Sequence, residues 1–357
     1  MSGDNLINLP MNGSVNLPLY ETDHFNKLEF SEIISLIEKI YENDFPKQKS
    51  MIIECITNST SHYTKRMGME YYINQGEAEL LEALIQSEKQ SSDPLNCEWA
   101  NTYEILLKKN KGLLHGDRLN ETVLSMRSSS KEMHLLLCIL HMFGVYQAGQ
   151  YESFFKVSQA ILPEVQQIEE TFIRNSYELH LLELYCFSHL LMNQVEACRD
   201  KAILMLEKAK PNRHPISTLN AYHNLAYTYT FESFELAMHY LDQGLGLASL
   251  LPEAKATNKV RELNKTKDFL RSLWKRDLEL TPEDRIERAH RYIVRGEKEK
   301  GLRILDEVKI KQGNNLTGFQ WYYYALGTGK EEHFLRAKQL FTAKKDKFFI
   351  KVLDSTI

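Results

Sequence analysis

One theme recurs along this chain and limits its fold more than any other feature: an apolar helical segment, a short polar turn, and a second helical segment with small residues near its start. The clearest copies are MFGVYQAGQYESFFKVSQAILPEV, LYCFSHLLMNQVEACRDKAILMLEKA, AYHNLAYTYTFESFELAMHYLDQGLGLA, RAHRYIVRGEKEKGLRILDEVK and WYYYALGTGKEEHFLRAKQLFTAKKD. Their turns fall at Gly149–Tyr151, Asn193–Gln194, Glu232–Ser233, Gly296–Glu297 and near Gly329, and successive turn marks lie 44, 39, 64 and 33 residues apart. A hairpin of this kind has an apolar stripe that it cannot bury alone, so neighbouring copies must stack to complete a core. The expected fold is an all-α, tetratricopeptide-like superhelical stack of helix pairs. The long interval leaves room for one extra helix, Thr257–Arg276. Ala202, Ala226, Ala237 and Ala337 fall where adjacent helices must approach closely.

Composition agrees with helix. Gly (16) and Pro (9) are sparse in 357 residues, and hydrophobic residues make up 43%, enough for a substantial core. The net charge of −4 gives no global attraction to nucleic acid, so a DNA contact would need a local basic patch. The longest apolar run, Leu135–Tyr146, is too short to span a bilayer. The five cysteines (Cys55, Cys97, Cys138, Cys186 and Cys198) form no CxxC and no zinc spacing; they read as reduced core thiols of a cytoplasmic protein.

The expected organisation has four parts. Residues 1–27, rich in Asn, Gly and Pro, form an irregular segment. Residues 28–75 are N-terminal helices; Ile33, Ile34, Ile37, Ile40 and Tyr41 share one face of the first, and Pro46 closes it. Residues 76–345 are the stack. Residues 346–357 form a C-terminal helix, a candidate dimer cap.

Nothing marks an enzyme, a cofactor or a metal site. The chain has no phosphate-binding loop, no dinucleotide fingerprint, no H-E-x-x-H and no G-x-S-x-G. The twelve histidines are dispersed; His180 and His189 fall on opposite faces of one helix. In the run Trp321–Tyr324, successive residues point about 100° apart on a helix, so Tyr323 and Tyr324 divide between core and groove. Tyr222, Tyr227 and Tyr229 read first as packing. The basic stretches Lys108–Lys111, Lys275–Arg276 and Lys344–Lys347 read as solvated helix ends or turns. In the last, Asp346 stands between lysines and beside Phe348 and Phe349, where a carboxylate at a groove wall suits a cationic ligand.

Several segments resemble one family. LYETDHFNKLEFSEIISLIEKIY, IRNSYELHLLELYCFSHLLMNQVEACR, AYHNLAYTYTFESFELA, FLRSLWKRDLEL and KKDKFFIKVLD are similar, in order and spacing, to the AimR arbitrium receptors, the lysis–lysogeny peptide receptors of temperate phages of bacilli. Those belong to the wider peptide-responsive group that includes Rap, PlcR and NprR proteins. FLxxxWK and the terminal KxDKFxI are the more specific pieces. The resemblance implies a cytoplasmic homodimer, a groove for a short communication peptide of about six residues containing Arg-Gly, and a helix-turn-helix that binds operator DNA. It implies peptide-binding roles for Asp346 in KKDKF, Arg213 in KPNRH and Glu287 in RIERAH. Phe187 and Tyr227 stand where the family has two groove asparagines, so the chain reads a different peptide or none. MSGDN looks like the tail that follows a recognition helix. The helices ahead of it are not in this sequence, which leaves a late start or truncation, or a relative deficient in DNA binding. Two other functions stay open: a Rap-like module acting on a response regulator, although Gln48 and Gln75 are poor catalytic glutamines, and a scaffold without a small ligand.

Overall fold

The computed structural model describes residues 28–356; the expected irregular segment 1–27, with its helix-turn-helix remnant, lies outside them. The protein is all-α, 77% helical, with no strand among the described residues. It divides into two compact units between Lys65 and Arg66.

The first unit contains α1 (Phe30–Ile40) and α2 (Phe45–Asn58), and α3 (His62–Gln75) begins in it. Phe30, Ile33, Ile34 and Ile37 are buried, whereas Ile40, the last residue of the helix, is exposed. Pro46 does not close α1. It occupies the first turn of α2, after the Asp44 cap, where a missing N–H costs nothing.

The second unit is a succession of antiparallel helices: α4 (Ala78–Glu88), α5 (Pro94–Asn110), α6 (Gly116–Ser125), α7 (Lys131–Gln147), α8 (Tyr151–Gln166), α9 (Thr171–Leu191), α10 (Val195–Lys208), α11 (Pro215–Thr228), α12 (Phe234–Leu247), α13 (Glu253–Leu273), α14 (Arg285–Val294), α15 (Lys298–Lys311), α16 (Gly318–Thr328) and α17 (Glu331–Ala343). A 3-10 helix, Phe349–Thr356, follows. Within the pairs α9/α10, α11/α12, α14/α15 and α16/α17 the two helices pack along each other, and the first helix of a pair also packs on the first of the next, α9 on α11 and α14 on α16. This is the arrangement of stacked tetratricopeptide-like hairpins. The extra helix of the long interval is α13, which packs between α12 and α14.

Two of the turns share one chemistry. Asn193 adopts φ +62° and Gly296 φ +89°, and the next amide closes back onto the helix, Gln194 N–H to the His189 carbonyl (2.8 Å) and Glu297 N–H to the Tyr292 carbonyl (2.8 Å). A left-handed residue there satisfies carbonyls that the helix end leaves open and reverses the chain. Close approach is provided by the small residues expected from the sequence: Ala202, Ala226, Ala237 and Ala337 are all fully buried. Gly301 is tighter still, since a Cβ there would lie 2.7 Å from the Ala289 carbonyl oxygen.

The chain end folds back on the stack. Lys347 N–H donates to the Leu191 carbonyl (2.8 Å) at the end of α9. Phe348 packs against Cys186, Leu190, Cys198, Ala202 and Leu225. All five cysteines are free; Cys55, Cys186 and Cys198 are buried, and Cys97 and Cys138 are partly exposed. The apolar run Leu135–Tyr146 lies within α7, and among the described residues no helix is long and apolar enough to cross a membrane.

Candidate functional site

The first helices of successive pairs, together with α13, line a cavity of about 600 Å³, a size suited to a small ligand or short peptide. Its walls come from helix faces at 3.6-residue spacing: Glu183 and Phe187 on α9; Asn220, His223 and Tyr227 on α11; Lys259, Glu262, Thr266 and Phe269 on α13. Ile286 and Glu287 open α14, Phe319, Gln320 and Tyr323 belong to α16, and Lys344 and Phe349 come from the chain end.

An aromatic path runs along the cavity. His223 stacks on Tyr227 at 4.4 Å between centroids, Tyr227 meets Phe349 edge-on at 5.6 Å, and Phe349 meets Phe319 at 5.3 Å. Phe319 in turn contacts Phe269 at 5.5 Å and Tyr323 at 6.5 Å. His223 Nε2 lies 2.9 Å from the Thr266 hydroxyl. Burial pushes its imidazole down to about 3, so this ring is neutral at physiological pH.

Glu287 is the polar feature at the far end. Asp284 caps α14 by accepting N–H bonds from Ile286 (2.8 Å) and Glu287 (3.0 Å). That places Glu287 in the first turn, where the helix dipole favours a carboxylate. Its side chain is almost fully buried. The Tyr323 hydroxyl donates to it, 3.1 Å from either carboxylate oxygen. Burial, followed by the Glu287 charge, pushes the Tyr323 phenol well above its ordinary value. The nearest basic group is His290 Nδ1 at 3.6 Å, and burial pushes that imidazole down. Among the described residues Glu287 pairs with no lysine or arginine. A buried carboxylate without a cationic partner is costly, and it is well placed to accept a ligand's positive charge.

Of the five expected site residues, Phe187, Tyr227 and Glu287 therefore share one cavity. Asp346 and Arg213 are not among its lining residues. Asp346 lies on a neighbouring groove with Tyr151, Lys345 and Ile350, and its carboxylate accepts the Phe349 N–H (2.8 Å), capping the turn into the terminal 3-10 helix. Burial pushes it up to about 6. Arg213 lies in the loop between α10 and α11, where its carbonyl accepts from Gln75 Nε2 (3.1 Å). It precedes the start of α11, whereas Tyr227 lies in the last turn of that helix. Tyr323 and Tyr324 do separate: Tyr323 forms cavity wall, and the Tyr324 hydroxyl donates to Asp306 (2.6 Å) on α15.

Asn220, His223, Glu183 and the α13 face are site residues that no motif in the sequence singles out. Their signal was a stripe, at positions 259, 262, 266 and 269, on the helix already expected in the long interval.

Fold and cavity together define a helical-repeat protein whose first helices enclose a ligand-sized space. The chain belongs to the AimR transcriptional regulator-like family, whose profile matches residues 47–353. It is similar to the AimR transcriptional regulator of Bacillus phage phi3T, 24% identical over 88% of this chain and 82% of that protein. It is also similar to an uncharacterized protein of Bacillus anthracis, 24% identical over 67% of this chain and 91% of that protein. A solved structure titled "Structure of phAimR-Ligand" shares the fold, with a TM-score of 0.74 and 20% identity, covering 90% of this chain and 95% of that one.

Proposed function

We propose that this regulator senses a short peptide. The peptide lies in the cavity between α9, α11, α13, α14 and α16, and its binding controls transcription in the lysis–lysogeny decision of a temperate phage. The observation that carries this reading is Glu287: a buried carboxylate, held by a helix cap and a tyrosine hydroxyl, facing a ligand-sized cavity and paired with no lysine or arginine among the described residues. A peptide supplies the missing cation through its amino terminus or an arginine. The aromatic path from His223 to Tyr323 supports the same reading, since it offers an apolar floor to side chains between charged ends. Phe187 and Tyr227, in place of two amides, favour a peptide with bulky apolar side chains over one read through its backbone.

A ligand that binds only the native state raises the melting temperature by mass action. A panel of Arg-Gly hexapeptides at high micromolar concentration should contain members that do so. Absence of any shift across the panel sinks the reading.

Action on a response regulator draws less support. The Gln48 amide donates to the Tyr41 carbonyl (2.8 Å) and the Gln75 amide to the Asn212 carbonyl (2.8 Å), so both glutamines are engaged in holding the backbone.

A further inference from the structure

The α11 wall of the cavity carries two polar side chains one turn apart, Asn220 and His223. Residues three apart on a helix share a face, with Cβ atoms about 5–6 Å from each other. Asn220 is only 8% exposed. Its amide makes no hydrogen bond among the described residues. It is not sealed in the core as the neighbouring Asn224 is, whose amide atoms are both buried without a partner; what remains open of Asn220 lines the cavity. A primary amide left there holds an unused donor and an unused acceptor, and so nearly buried a group calls for a partner.

His223 complements it. A hydroxyl has one proton to give, and Thr266 donates its proton to the Glu262 carbonyl (3.2 Å). The Thr266 oxygen is therefore the acceptor toward His223, and the imidazole proton sits on Nε2, 2.9 Å away. The Tyr227 hydroxyl, 3.4 Å from the same oxygen, meets its remaining lone pair. With the ring neutral, Nδ1 is a bare acceptor. It makes no hydrogen bond among the described residues, and it is not closed off as the Nδ1 atoms of His214 and His290 are. Stacking on Tyr227 holds the ring plane. One face of α11 thus presents an N–H donor and a nitrogen acceptor on successive turns.

In an extended chain the N–H and C=O of one residue point to the same side, the pair that antiparallel strands exchange. We propose that Asn220 and His223 clamp one such unit of the bound peptide's backbone: the Asn220 amide N–H donates to a ligand carbonyl, and His223 Nδ1 accepts the N–H of the same ligand residue. The occupant rests on the peptide reading above. Phe187 and Tyr227 read side chains; this pair fixes the register in which those side chains reach them, and so decides which sequence fits. A proline at the clamped position has no N–H to give and is rejected.

The test uses the full chain and the Arg-Gly hexapeptide that raises its melting temperature most. Each backbone N–H within that peptide is replaced in turn by an ester oxygen, which removes one donor and adds no bulk. Calorimetric titration of wild type should find one ester analogue that binds about ten-fold more weakly than the parent, the scale of an acceptor left unpaired in a buried site. In His223→Phe, which keeps a ring against Tyr227, that analogue and the parent should bind equally. In Asn220→Ala the parent should bind about ten-fold more weakly. The free Asn220→Ala protein should melt at or above the wild-type temperature, since the lost amide has no partner and alanine favours helix. Nitrogen NMR of histidine-labelled free protein should show the His223 ring, identified by its loss in His223→Phe, as the neutral Nε2–H form at neutral pH. Insensitivity of wild type to every ester, or an ester loss that survives in His223→Phe, overturns the clamp and leaves the peptide reading intact. An Nδ1–H ring, or a lower melting temperature for Asn220→Ala, overturns the clamp without any ligand. Absence of binding by every hexapeptide overturns the peptide reading and the clamp together.

Discussion

The Tyr323 hydroxyl stands 3.1 Å from both carboxylate oxygens of Glu287, one donor shared across a buried acid. Tyr323→Phe removes that donor and leaves the carboxylate in place. A lost hydrogen bond to a charged group costs about 1.5–3 kcal/mol. Thermal unfolding should show a drop of a few degrees, and an unchanged midpoint would remove Tyr323 from the account of Glu287.

Asp346 is a second buried acid, used differently. Burial raises its carboxyl to about 6 from an ordinary 3.8. The folded state thus holds its proton more tightly than the unfolded state, and stability falls as pH rises from about 4 to about 6. Asp346→Asn keeps an oxygen for the Phe349 N–H and abolishes the charge. The variant should melt higher than wild type above pH 6, and the two should converge near pH 4. A variant less stable at neutral pH would show that the charge itself holds the turn.

Glu98 has the opposite sign. Burial pushes its carboxyl up, but this is outweighed by donors from Ser128, Ser129 and Ser130, which hold it at about 2. The Ser129 and Ser130 amides lie 3.0 and 3.1 Å away. Its contribution is present above about 4.5 and is lost as pH falls toward 2. Glu98→Gln should lower the melting temperature at neutral pH and flatten the acid limb of the stability curve. Parallel acid limbs for variant and wild type would contradict this.

Gly301 tests the packing of α14 on α15. Alanine gains about 1 kcal/mol of helix propensity, yet its Cβ would meet the Ala289 carbonyl at 2.7 Å and Ile293 Cγ1 at 2.5 Å. Overpacking of this kind costs about 1–3 kcal/mol. Gly301→Ala should therefore be neutral to destabilising in a chemical melt, and clear stabilisation would mean that the pair separates easily.

The repeat was legible because its signals are local. Turn residues such as Asn193 and Gly296 and small residues such as Ala226 and Ala337 each carry their own backbone or contact requirement. Pro46 was misread because a proline that ends one helix and a proline that opens the next look alike until the preceding cap, Asp44, is taken into account. The site was only partly legible. Glu287 lies in the cavity, but its hydrogen bond from the Tyr323 hydroxyl depends on α14 and α16 meeting, which no local pattern encodes. Lys109 sits in a run of lysines that resembles any solvated helix end. Only the approach of Phe143 on α7, whose ring centroid lies 3.3 Å from the Lys109 ammonium, sets it apart from Lys108, which pairs with Glu104 at 3.3 Å.

In the proposed peptide complex, Glu287 receives the positive charge of the ligand. The most direct measurement is titration of an Arg-Gly hexapeptide into wild type and Glu287→Gln, with the melting temperature of each free protein recorded alongside. Glutamine keeps the shape and an acceptor for Tyr323, so the free variant should fold and melt near or above wild type. Its peptide affinity should fall by about ten- to a hundred-fold, the scale of a lost buried charge pair. Equal affinity in the two proteins, with both folded, would contradict the account.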